Sequence, residues 1–408
     1  MRAVPSLKTF SLFVLITLLA ACTAAVTPQW VATYNHKADQ GGDRITWLND
    51  MVVDSFGNVV VAATAIQAGF AQAREEEALL VQFGANGQRR WAQAANLHHL
   101  NDGARYYDDT RALVADSNGN LYAIAISQRV TDDSSTLSSH LISFDRFGQQ
   151  RWTQYLSDKE DMRALALQNG QVVVAGLSTQ RFSLDGVKLS HVEHPDHSAW
   201  AITFDAAGNY ALSGGFMVSF FNASGDLLWQ AEAHDDGYAF AEALFVGNGD
   251  LITTQAIEPR GAALITRWSP SGQVVWQRTL ATPTTSYGMM GPALIRQDHR
   301  GDLYVVTSNS NGRRIAKLDG QGRVYWQKTS RQGIVQDMAL INGEVFVVGN
   351  GRNEKYDTQG NLVAESSTGR HVQITQGRVA VDGDRIYAGY AASMDGGMGL
   401  HVSQFRNQ

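Results

Sequence analysis

The chain has 408 residues, 44% of them apolar and 18% charged, with a formal net charge of -6. That balance supports a large buried core and lacks the basic surplus of a nucleic-acid-binding surface, so no nucleic-acid partner is expected. With 39 glycines against 7 prolines, many tight turns are expected rather than disorder, and a single cysteine leaves no disulfide or thiolate metal site to build.

Arg2 and Lys8 precede an apolar run from Phe10 to Leu19, too short to cross a bilayer comfortably and laid out as an export signal. The run ends in Leu19-Ala20-Ala21-Cys22, which resembles the bacterial lipoprotein box. The resemblance implies a signal peptide over 1–21, cleavage before Cys22 and acylation of that residue. Each buried methylene of an attached chain contributes about 0.8 kcal/mol, so several chains hold a protein at a bilayer durably. Thr23 follows where aspartate would favour inner-membrane retention, so the resemblance implies the outer membrane, on its periplasmic face or, alternatively, exposed at the cell surface.

From residue 27 onward one pattern recurs. Its first half is an apolar run, a glycine turn with Asp or Asn nearby, and a second apolar run, around Gly57, Gly119, Gly170, Gly208, Gly249, Gly301, Gly343 and Gly383. Its second half runs from a glycine to a tryptophan four residues on: Gly87 to Trp91, Gly148 to Trp152, Gly225 to Trp229, Gly272 to Trp276 and Gly322 to Trp326. Gly186 to Ser190 and Gly360 to Ala364 keep the glycine without the indole. Asp or Asn before glycine is the chemistry of tight hairpins, so each repeat encodes four short antiparallel strands. Spacings of roughly 40 to 60 residues are those of propellers and related arrays.

The last repeat supplies three strands, while Trp30 stands at the front without a preceding hairpin. Pairing of about 27–33 with 398–406 would complete that last sheet and remove an exposed edge. The expected fold is all-β: a β-propeller of eight four-stranded blades, a single domain over 22–408 closed by its N-terminal strand. Seven blades is the alternative if residues 164 to 190 form no blade of their own.

The run Met51-Val52-Val53-Asp54-Ser55-Phe56-Gly57-Asn58, followed by Ala78 to Phe83 and Trp91, resembles the bacterial SBBP-type propeller repeat and the tryptophan-docked, quinoprotein-like (PQQ-like) propellers. With the lipoprotein box, the layout is similar to the propeller lipoprotein of the outer-membrane barrel-assembly machine. Such motifs transmit fold better than function.

The Asp-x-x-Gly-Asn turns lack the distant bidentate carboxylate of a calcium loop and read as turn chemistry. The long connections, at 34–44, 65–77, 97–109, 128–139, 234–241 and 281–292, all fall on one face of a propeller. That face is expected to carry the interaction surface, with Tyr106, Tyr107, Asp108, Asp109, His234, Asp235, Asp236, Tyr238, Tyr287 and Met289 as candidates. His191, His194 and His197, with Glu193 and Asp196 between them, are the one grouping with divalent-metal character.

A non-catalytic, lipid-anchored, monomeric scaffold for envelope proteins or a ligand is the favoured reading, with no resident cofactor expected. The alternatives are enzymes at the channel mouth. A quinone-dependent dehydrogenase is suggested by the tryptophan repeat, and a lyase-type site could use His234 and Asp236 as acid and base.

Overall fold

The computed structural model describes residues 24–25, 27–34, 44–66, 76–95, 97, 104–158, 161–194, 197–232, 237–257, 262–281, 293–309, 312–330, 333–349, 352–367, 377–394 and 397–406. Among these, regular structure is strand apart from one 3₁₀ turn at Gly247–Gly249. The strands form four-stranded antiparallel units in chain order: 164–193, 201–232, 237–281 and 294–330. A continuous eight-stranded sheet is two such units, 44–94 and 105–157, joined by a single parallel pairing of Glu76 with Tyr107. The 335–367 unit gains Ala24–Ala25 as an extra strand parallel to Leu362–Ser367.

The last unit draws on both ends of the chain. Trp30–Tyr34 lies antiparallel beside Gly397–Arg406, with Trp30 opposite Gln404 and Tyr34 opposite Leu400. The first strand of each unit also packs against the first strand of the next, and Gly377–Asp382 returns to Arg44–Val53, so the circuit is closed.

Second strands read as unbroken apolar runs because both of their faces are covered. In Val59–Ile66, Val59, Val61 and Ala63 pack with Tyr387, Leu400 and Val402 of the last unit, while Val60 and Ala62 pack with Leu121, Ala123 and Ile142 of the following one. Burial of each such Val, Ile or Leu contributes about 1.5–3 kcal/mol.

The turns follow their sequence chemistry. Asp54 Oδ1 accepts the amides of Phe56 and Asn58, both at 2.9 Å, and Oδ2 accepts Asn58 Nδ2 at 2.8 Å. The same arrangement recurs at Asp116, Asp205 and Asp357. These carboxylates are occupied in building turns rather than holding cations.

The glycine-to-tryptophan motif joins one unit to the next. Trp91 lies over Gly148, whose φ is +82°, so closely that a Cβ there would stand 2.6 Å from the indole. The Trp91 Nε1–H donates to the carbonyl of Arg146 at 3.3 Å. Trp30, Trp152, Trp229, Trp276 and Trp326 repeat the contact on Gly87, Gly186, Gly272, Gly322 and Gly360, each donating to a carbonyl of the turn it covers.

Among the described residues, two junctions lack the indole. At the 164–193 unit Ser190 replaces it, and Val192 covers Gly225. At the 335–367 unit Ala364 faces the split last unit, where chain ends stand in place of a turn, and Ala24 pairs beside it.

Candidate interaction surface

Within the circuit, the first strands surround a cavity of about 630 Å³. Its wall carries Asp50, Arg111, Arg163, Glu242, Arg296, Asp337 and Arg378, with Leu165, Trp200, Ala201 and Ile202 forming an apolar sector. The carboxylates hold neighbouring strands together. Asp50 accepts the amides of Met51 and, across the unit boundary, Leu113, both at 2.8 Å. Asp337 accepts those of Met338 at 2.7 Å and Val379 at 3.0 Å, and Glu242 accepts that of Ile295 at 2.6 Å.

Arg296 joins Glu242 at 2.8 Å and Asp337 at 3.3 Å. Burial raises the Asp50 carboxyl to about 6 despite the nearby Arg378 guanidinium and two donated amides. Burial likewise raises Glu242, against the pull of Arg296.

Several expected loop residues belong to strands. Tyr106, Tyr107, Asp108 and Asp109 lie in Arg105–Ala115, so the expected loop at 97–109 ends before them. Tyr106 and Asp108 are buried and Tyr107 is half-buried, which removes an exposed aromatic-acidic patch there. Asp109 joins a cluster at the wall: it accepts from Asn49 Nδ2 at 2.7 Å, bonds Thr64, and pairs with Arg111. Arg111 pairs also with Asp161 at 3.0 Å, and Asp161 with Arg163 at 2.7 Å.

The expected connection at 128–139 is mostly paired strand, Gln128 opposite Leu137 and Val130 opposite Ser135. The projecting end of a hairpin needs no apolar face, so its polar residues mimic a loop. Tyr238 lies in the strand Gly237–Phe245 rather than in a 234–241 loop. Cys22, His234, Asp235, Asp236, Tyr287 and Met289 lie outside the described residues.

The three histidines do not converge on a metal. His191, exposed on Lys188–Glu193, pairs with Glu193 at 2.7 Å. His194 turns inward to Thr179 Oγ1 at 2.9 Å and lies against Phe221, its ring centroid 4.4 Å away. The His197 Nδ1 meets Ser219 Oγ at 3.0 Å. A strand at 188–193 followed by a bend inward sends the imidazoles to separate partners, and among the described residues no group of three or more His, Cys, Asp or Glu is gathered for a metal. Burial lowers both His194 and His197 to about 4, leaving them neutral near pH 7.

Aromatic exposure lies elsewhere. Trp200, 45% exposed, immediately precedes the first strand of the 201–232 unit at the channel mouth, with the Arg163 guanidinium 5.6 Å from its ring centre. Phe216, 68% exposed, sits in the turn between second and third strands of the same unit, on the same face. Trp47 is 42% exposed in the first strand of the 44–94 unit. None of the three stands in the glycine-to-tryptophan register.

Closed first strands, four-stranded units and turn-docked indoles define a β-propeller, similar to the PQQ-like propellers. The family model described as outer membrane protein assembly factor BamB matches residues 261–402, and the chain is similar to that family of propellers. It superposes on the solved Dos1 propeller with a TM-score of 0.62 at 13% identity, covering 91% of this chain and 95% of that one, a likeness of fold alone. A Bacteroides caccae protein of unknown function gives a TM-score of 0.38 at 16% identity, over 65% of this chain and 93% of that one. No curated protein matches the chain in sequence.

The described channel residues do not fit a calcium-held quinone. Asp50, Glu242 and Asp337 are committed to backbone amides and Arg296 instead of facing one cation. The single cysteine also rules out a pair of adjacent cysteines against such a ring.

Proposed function

We propose that this chain is an outer-membrane lipoprotein, anchored through Cys22 and facing the periplasm. Its units act as eight blades of one monomeric, non-catalytic propeller domain that binds envelope proteins in the service of outer membrane protein assembly. The description of the matched family supplies that process.

The observation that carries the scaffold reading is a division of labour at the looped face. The described channel carboxylates are tied to adjacent strands, whereas Trp200 stands exposed beside Arg163 and Phe216 stands exposed on the same face. Aromatic and arginine side chains of this kind anchor protein interfaces. The test is a Trp200→Ala/Phe216→Ala double variant in cells depleted of the natural protein, with folded outer-membrane barrels counted by their heat-modifiable mobility. Folded barrels are expected to fall toward the depleted level while the variant stays folded and anchored. Full rescue by the variant overturns the assignment of this face.

A further inference from the structure

The opposite face, made of tight turns, carries its own feature. Phe56 is 52% exposed in the first turn of the 44–94 unit, and Phe147 is 65% exposed in the last turn of the 105–157 unit. The Arg146 guanidinium lies between them, 5.2 Å from the Phe56 ring centre and 4.7 Å from that of Phe147. The rings are held in place: both backbone amides donate to their turn aspartates at 2.9 Å, and Phe56 rests on Gly119, where a Cβ would stand 2.8 Å from its ring. Comparable turn positions hold small or polar residues, such as Asn118, Ala207, Ser271, Gln321 and Gln359. Among the described residues no ion pair engages Arg146, and Arg385, itself 3.7 Å from Asp382, lies alongside the Gly57 turn.

The chain's entry into the ring points the same way. Ala24 and Ala25 run parallel to Leu362–Ser367, a strand that begins at the tight turn 357–361, so the chain enters along this edge from the tight-turn side. Cys22 precedes Ala24 by two residues, a reach of about 7 Å at most. Two exposed phenyl rings around an arginine suit the boundary between acyl chains and phosphate headgroups.

We propose that Phe56, Arg146 and Phe147 form a membrane-contact site that seats the tight-turn face on the phospholipid surface, leaving the looped face directed into the aqueous space. This rests on the lipid-anchored reading of Cys22.

The experiment uses the acylated full chain in vesicles of phosphatidylethanolamine and phosphatidylglycerol, carrying a nitroxide at Ser55→Cys or, separately, at Phe216→Cys. Relaxation by oxygen, which concentrates in the bilayer, is compared with relaxation by a water-soluble nickel chelate. The Ser55 label is expected to favour oxygen and the Phe216 label the chelate. In a Phe56→Ser/Phe147→Ser background the oxygen preference at Ser55 should be lost while the protein still floats with the vesicles. Equal, water-like exposure of both labels in floating protein overturns the contact site and leaves the anchor standing. Full-length chain, made with its leader in cells that acylate lipoproteins, that does not float and carries no lipid by mass overturns the anchor and the proposal with it.

Discussion

Gly148→Ala tests the joint that fastens one blade to the next. An L-residue at the observed φ of +82° costs about 1–2 kcal/mol. The added Cβ would stand 2.6, 2.9 and 3.0 Å from three atoms of the Trp91 indole, so the ring must move, at an overpacking cost of about 1–3 kcal/mol. Displacement also strains the Trp91 bond to the Arg146 carbonyl, for a total of about 2–5 kcal/mol. Gly170→Ala is the control: its φ is +71°, but nothing lies within 4 Å of the new Cβ, so the backbone cost of about 1–2 kcal/mol stands alone. Urea unfolding followed by tryptophan fluorescence should place Gly148→Ala well below Gly170→Ala. Adding Trp91→Ala should recover about 1–3 kcal/mol relative to additivity. Equal midpoints for the two alanine variants, or strict additivity with Trp91→Ala, refute the docking account.

Removing residues 30–34 strips Gly397–Arg406 of its outer neighbour and should lower the melting temperature sharply, with Trp30→Ala alone costing about 3 kcal/mol; an unchanged melt contradicts closure by the chain ends. Asp337→Ala leaves the Val379 amide and Arg296 short of an acceptor and should cost about 2–4 kcal/mol, with Asp337→Asn costing less; calorimetry separates them. Acid should destabilise the protein through two histidines. His194 and His197 take protons near 6.5 unfolded but near 4 folded, so their stabilisation is complete above the higher value and drains as pH falls toward the lower. From pH 7 to 5 that is about 2 kcal/mol each, against about 1 kcal/mol gained as Asp50, raised to about 6, takes its proton in the folded state. A His194→Asn/His197→Asn variant should show a flatter urea-midpoint profile over that interval, and an unaltered slope would place the acid sensitivity elsewhere.

The turns and joints were legible because local chemistry dictates them: a glycine at positive φ, a turn-building aspartate and an indole four residues on are one mechanical unit. The looped face was less so. Tyr106 to Asp109 reads as polar loop, yet those residues extend a strand whose ladder needs no apolar periodicity. The histidine motif could not reveal that its rings diverge at the bend after Glu193. Two signals of the channel face lie in the sequence. Trp47, Trp200 and Trp268 stand outside the glycine register, and only Trp268, bonded to Thr253 Oγ1 at 2.9 Å, is buried. Asp50, Glu242, Asp337 and Arg378 each fall four residues before the first residue of a turn, a register that brings them to the channel wall.

The two joints without an indole divide the circle in a particular way. Trp30, Trp91 and Trp152 stitch the closing unit through to the 164–193 unit, while Trp229, Trp276 and Trp326 stitch 201–232 through to 335–367. Ser190 and Ala364 therefore mark opposite ends of a diameter, with an indole-stitched arc on either side. Pulled outward or gently loosened by denaturant, the molecule should part along that line into two half-rings. Amide exchange that quickens first beside Val192 and Ala364 would be the earliest sign of it.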